Sequence, residues 1–218
     1  VHVLRPADHP LPAALLAAFE KADLVMLETD LNALQQPEMA ALMQQTLMYP
    51  AGHQLGNLLT SATRQALEQL LAQHGLSLQA VQQLKPGALA AQLTMALVRQ
   101  SGFTAEGVDS FLLTAALKAG KSTAFLESPQ FQLQMMAALG QGREDAFIRF
   151  MLAESTDAGG QLAALVDAWR QGDLTKLKTL ALDELQQQDP QSFQQLFLTR
   201  NQAWLRQLLA LHSNNKVE

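Results

Sequence analysis

Leu24-Val25-Met26-Leu27 is a continuous apolar run that stops abruptly on Glu28-Thr29-Asp30. A run this short predicts a strand buried on both faces. The stretch before it is helical in pattern. Leu15, Leu16, Phe19 and Ala22 recur at helix spacing after Pro12, a residue suited to a helix's first turn. Earlier still, Val1-His2-Val3-Leu4 is β-prone, and the proline-rich stretch from Pro6 to Pro12 forbids helix. Val1–Leu4 therefore reads as the end of a strand. Strand, helix and strand in close succession predict a βαβ unit with parallel strands and a right-handed crossover.

The remainder reads as mostly helical. From Pro37 to about Gln100, Met39, Leu42, Met43 and Leu47 form one apolar face. Leu55, Leu58, Leu59, Ala62, Ala66, Leu67, Leu70 and Leu71 form a longer one. Ser77 is placed to cap a short helix that stops before Pro86-Gly87. Gly107-Val108-Asp109 opens another helix, with Phe111, Leu112, Ala115 and Ala116 inward and Gly120 placed to end it. Ser122-Thr123-Ala124-Phe125-Leu126-Glu127 predicts a further strand, and Ser128-Pro129 a capped helix start. Helix continues to about His212, broken at Gly172-Asp173 and Asp189-Pro190. The expected fold is α/β and helix-dominated. It has a small, largely parallel sheet, a helical insertion at about 36–106 and a C-terminal helical region, all in one domain over 1–218.

Composition narrows the function. Charged residues are 16% of the 218 and the net charge is −5, so the basic excess needed to bind nucleic acid is missing. At 48% hydrophobic, the chain is too apolar to be disordered. It has no cysteine, which excludes disulfide scaffolds, thiolate-held zinc, iron–sulfur clusters and thiol nucleophiles. No apolar stretch reaches the roughly 20 residues of a membrane span, so no integral membrane segment is expected. The opening Val1-His2 lacks an initiating Met and predicts a trimmed chain, so a missing leader does not assign a compartment.

The expected strands end near His2, at Glu28 and at Glu127. In open parallel sheets the functional crevice lies beyond the carboxyl ends of the strands. An imidazole and two carboxylates there suit a divalent metal or acid–base chemistry, although a carboxylate after a strand also serves as a turn cap. Arg200, on the helix that carries Trp204, suits either a clamp on a carboxylate of the site or substrate, or plain packing over the indole. His9 and His53 read as turn residues, His74 and His212 as helix-end residues. The methionines read as core packing. No nucleophile elbow, dinucleotide fingerprint, phosphate loop or His-Glu-x-x-His zinc motif occurs.

Several short blocks fall in a recognisable order. They are His2-Val3-Leu4, Pro10-Leu11-Pro12, Val25-Met26-Leu27-Glu28-Thr29-Asp30 and Gly107-Val108-Asp109-Ser110-Phe111-Leu112. Then come Gly120-Lys121, Leu126-Glu127-Ser128 with Gln132, Trp169 with Gly172-Asp173, and Arg200-Asn201 with Trp204. Together they resemble the TraB/GumN family, which is related to the Tiki proteases, almost end to end. The resemblance implies a site of two Gly-x-x-His motifs and a glutamate around a divalent metal. His2 matches the first histidine, with its glycine expected before Val1, and Glu28 matches the glutamate. The second Gly-x-x-His is expected beyond Glu218. Either the chain is truncated or it is a divergent member that holds no metal in the usual way, and the abrupt start inside the first motif favours truncation at both ends.

The implied activity is that of a divalent-metal-dependent hydrolase of manganese, cobalt or zinc, acting on a peptide or protein in a bacterial cell envelope or periplasm. His2 and Glu28 would hold the metal. Glu28 or Glu127 would take the proton, and Arg200 would steady the oxyanion or order the carboxylates. The alternatives are a non-catalytic binder of haem or a small ligand in the envelope, and a helical interaction module using the 36–106 insertion.

Overall fold

The computed structural model describes residues 1–214. Strand β1 (Leu24–Leu27) pairs in parallel with β2 (Ser122–Phe125), Leu24 opposite Ser122 and Leu27 opposite Phe125. Two bonds extend the ladder past the strand ends: Leu126 N donates to Leu27 O at 2.9 Å and Glu127 N to Glu28 O at 2.8 Å. Glu28 and Glu127 therefore leave the sheet side by side. In β1, Val25 and Leu27 are buried while Leu24 is 41% exposed, so burial follows the pleat instead of covering both faces. Helix α1 (Ala13–Lys21) precedes β1, and α6 (Val108–Lys118) supplies Leu113 and Ala116 to the buried face.

Val1–Leu4 is not a strand of this sheet. Leu4 makes one antiparallel bridge with Thr104, and Val108 N donates to Val1 O at 2.9 Å. Pro6 and the short 3-10 turn Pro6–Asp8 stop the extended segment before it can pair further. The expected βαβ unit through residues 1–4 is thus absent. The parallel crossover runs from β1 through the helical residues to β2. Arg5 anchors the segment by pairing with Asp8 at 2.9 Å and with Asp167 at 2.7 Å, and Arg170 donates to the Asp8 carbonyl.

Between the strands come α2 (Pro37–Leu47), α3 (Ser61–Gln73), α4 (Leu78–Val81) and α5 (Pro86–Gln100). Ser77 Oγ caps α4 by accepting from Ala80 N. After β2 follow α7 (Pro129–Ala138), α8 (Glu144–Glu154) and α9 (Ala158–Gln171). Leu55, Leu67, Leu71, Val81, Leu89 and Leu93 share one core with Phe147 and Ile148 of α8. Fully burying each such leucine contributes about 1.5–3 kcal/mol. Met39 and Leu47 pack on Leu133 and Ala137 of α7, whereas Met43 turns outward at 38% exposed. A Cβ on Gly87 would sit 2.1 Å from Met136 O, so only glycine lets α5 approach the α7 backbone this closely.

Gly172, at φ +69°, ends α9 as a left-handed cap. Beyond it lie α10 (Leu174–Lys178), α11 (Glu184–Gln188), α12 (Pro190–Phe193) and α13 (Thr199–Asn214). Residues 179–183 and 194–198 are widened, π-type turns within this stretch. Arg143 ties α8 to α12, meeting buried Asp189 at 2.5 Å and Ser192 Oγ at 2.7 Å. Among the described residues, no helix is long and apolar enough to cross a membrane.

Candidate functional site

At the carboxyl end of the sheet, Glu28 and Glu127 arrive as neighbours because their strands are in register. Two carboxylates this close repel unless a cation lies between them. Arg200, from the first turn of α13, fills that place. Its Nε donates to Glu127 Oε1 at 2.7 Å, and its Nη2 to Glu127 Oε2 at 2.9 Å and Glu28 Oε2 at 2.7 Å. Nη1 donates to the Leu196 carbonyl at 3.1 Å, inside the widened turn before α13. Four of the guanidinium's five N–H groups are thereby committed to the protein.

Glu127 is 9% exposed and its acceptor positions are filled. Besides Arg200, Trp204 Nε1 donates to Oε1 at 2.9 Å and Gln132 Nε2 to Oε2 at 3.2 Å. The Trp204 ring lies 4.7 Å from the Arg200 guanidinium carbon, a cation–π contact. Burial pushes the Glu127 carboxyl up. The hydrogen bonds from Arg200, Gln132 and Trp204 outweigh it and hold the group below its ordinary range. For Arg200, burial opposes the charge, and the two glutamates more than restore it.

Glu28 differs. Its Oε2 is held by Arg200, while Oε1 lies 3.9 Å from His2 Nε2. The other ring nitrogen of His2, Nδ1, is 2.9 Å from Asp109 Oδ2. Asp109 sits in the first turn of α6, where the helix dipole favours a carboxylate. The bond to Asp109, together with the charges of Asp109 and Glu28, raises the pKa of this largely exposed imidazole above its ordinary value. Burial raises Asp109, but the bond to His2 prevails and leaves its carboxyl below the usual range.

His2, Glu28, Asp109 and Arg200 border a cleft of about 400 Å3. Leu31, Met135, Met136 and Leu196 form its apolar walls. The sequence model of the TraB/PrgY/gumN family matches residues 1–217. The chain belongs to the TraB/PrgY/gumN family. No curated protein and no solved structure matches it significantly.

In this TraB/PrgY/gumN member, the residues singled out from sequence, His2, Glu28, Glu127 and Arg200, meet in one polar assembly. Of these, His2, Glu28 and Arg200 line the cleft and Glu127 lies behind Arg200. Of the two carboxylate-clamping roles open to Arg200, the geometry shows the clamp on the site's own carboxylates. His9 is not part of the lining, and its ring packs 5.5 Å from Phe111. Spacing and composition assign no site role to Asp109, Gln132 or Trp204. The available signal was their place in the same short blocks as Gly107, Glu127 and Arg200.

Metal fit can be tested on the donor set. Among the described residues no three His, Asp or Glu side chains converge on one point. The facing pair is His2 Nε2 and Glu28 Oε1, and imidazole with carboxylate is a donor set that zinc, cobalt and manganese accept. Two such donors on one ion lie about 3.4 Å apart, so the 3.9 Å gap needs only a small closure. Metal-bound imidazoles commonly donate their other ring N–H to a carboxylate, and Asp109 Oδ2 stands 2.9 Å from His2 Nδ1. The pair fits as part of a coordination shell.

Proposed function

We propose that the cleft is the working site of a divalent-metal-dependent hydrolase, with peptide bonds as its substrate. One observation carries this reading: His2 Nε2 and Glu28 Oε1 face each other across an apolar-walled cleft, each held from behind by a charged partner. His2 and Glu28 would hold the metal. When bound, it would supply Lewis acidity, polarising a carbonyl and bringing the pKa of water towards about 7.

The chain's own residues do the rest. Arg200 takes Glu28 Oε2 and leaves Oε1 turned to the cleft. Glu127, with four hydrogen bonds, has no position left for a proton from water; it fixes Arg200. Leu31, Met135, Met136 and Leu196 reduce water access and accept an apolar side chain beside the scissile bond. Placement in a bacterial cell envelope is part of the same proposal and rests on the resemblance alone.

A peptide library incubated with the protein and manganese, cobalt or zinc tests the reading, with Glu28→Gln as the control. Cleavage by the wild type that falls at least a hundredfold in Glu28→Gln is expected. No cleavage with any of the three ions, or equal cleavage by the variant, contradicts it.

A further inference from the structure

A neutral imidazole carries its proton on one nitrogen and a lone pair on the other, and its hydrogen-bond partner decides which. The His2 side chain is 69% exposed, so packing alone does not set its ring. Asp109 does reach it. A carboxylate only accepts, so Oδ2 at 2.9 Å requires the proton to be on Nδ1. The lone pair is then on Nε2, which is the atom facing Glu28 Oε1.

The same turn also holds the main chain of His2. Val108 N donates to Val1 O at 2.9 Å. A Cβ on Gly107 would lie 2.2 Å from the His2 carbonyl carbon and 2.3 Å from its oxygen. Residues 107–109 therefore grip the histidine at its backbone and at its ring together.

We propose that Asp109 is a positioning residue, which keeps the His2 proton on Nδ1 and presents the Nε2 lone pair to the cleft. What that lone pair does there rests on the hydrolase reading; the tautomer does not. Asp109 acts through His2 and touches no reacting atom.

The test is a long-range proton–nitrogen NMR correlation of the metal-free, 15N-labelled protein at a pH where His2 is neutral, with His2→Gln identifying its signal. The wild type is expected to show the Nδ1–H form. Asp109→Leu, similar in size but without an acceptor, is expected to shift His2 towards Nε2–H. Asp109→Asn, which keeps a carbonyl acceptor, is expected to retain Nδ1–H. Zinc affinity is the second readout, and Asp109→Leu is expected to lose roughly 10- to 100-fold. A wild type in the Nε2–H form, or an Asp109→Leu spectrum with the wild-type tautomer, overturns the proposal. An Nδ1–H wild type that binds no zinc supports the positioning role while contradicting the hydrolase reading, so the two failures are distinct.

Discussion

Arg200 meets Glu127 fork to fork, Nε at 2.7 Å from Oε1 and Nη2 at 2.9 Å from Oε2. The pair is nearly buried, with side-chain exposures of 11% and 5%. Its reach extends to Glu28 through the same Nη2, so one guanidinium neutralises two strand-end carboxylates. It is the joint between the sheet and α13.

Arg200→Met is therefore expected to destabilise the protein by roughly 3–5 kcal/mol, the cost of leaving a buried charge unpaired. Arg200→Lys keeps the charge but not the fork, and is expected to recover less than half of the loss. Urea unfolding of the three proteins measures this. Equal stability of wild type and Arg200→Met contradicts the joint.

Gly107→Ala tests the contact that seats His2. Gly107 has φ −89°, which alanine adopts freely, so the effect is steric and local. The new Cβ would fall 2.2 Å from the His2 carbonyl carbon, which is backbone, so no rotamer change relieves the clash and the segment itself must shift. The expected result is displacement of Val1–Leu4 and a loss of about 1–3 kcal/mol. Amide chemical shifts of residues 2–4 and 107–109 should move together, while those around Leu67 and Leu71 stay. Unchanged shifts at His2 contradict the contact.

The structure separates what was legible in the sequence from what was not. Leu24–Leu27 declared itself because a short apolar run between polar stops has few alternatives to a strand. Val1–Leu4 is as β-prone, yet a strand also needs a lateral partner along its length, and among the described residues the segment finds one bridge, Leu4 to Thr104, and one bond from Val108 N to Val1 O. Met43 kept helical spacing with Met39 and Leu47 but lies beyond the face that α7 covers. Glu28 and Glu127 were marked by their place after strands. Their different roles depend on Arg200 and Trp204, which lie far away in sequence and come near only through the path of the C-terminal helices. The pairing of His2 with Asp109, 107 positions apart, is of the same kind.

Stability should fall in acid through Asp189. Burial pushes its carboxyl up, but hydrogen bonds from Arg143 and Ser192 prevail and hold it below the ordinary range. A folded pKa below the unfolded value of about 3.9 contributes stability that is fully present above that value. It is lost as pH falls through the folded pKa. Urea midpoints should therefore drop below about pH 4, and Asp189→Asn should be less stable at pH 7 and show a flatter acid limb. An identical acid slope in the variant contradicts the assignment.

Thr29 is 4% exposed, borders the cleft, and its Oγ1 has no hydrogen-bond partner. An unsatisfied buried hydroxyl costs about 1–3 kcal/mol. Thr29→Val, of the same shape, should leave stability equal or higher by about 1 kcal/mol. A loss greater than 1 kcal/mol in thermal or urea unfolding would show that the hydroxyl has a stabilising partner.

The proposed hydrolase requires His2 and Glu28 to hold a divalent metal. The direct measurement is bound metal per chain by mass spectrometry, after dialysis against manganese, cobalt or zinc, for wild type, Glu28→Ala and His2→Ala. About one ion is expected on the wild type, lost in both variants. No metal on the wild type with any of the three ions, or full occupancy in Glu28→Ala, contradicts it.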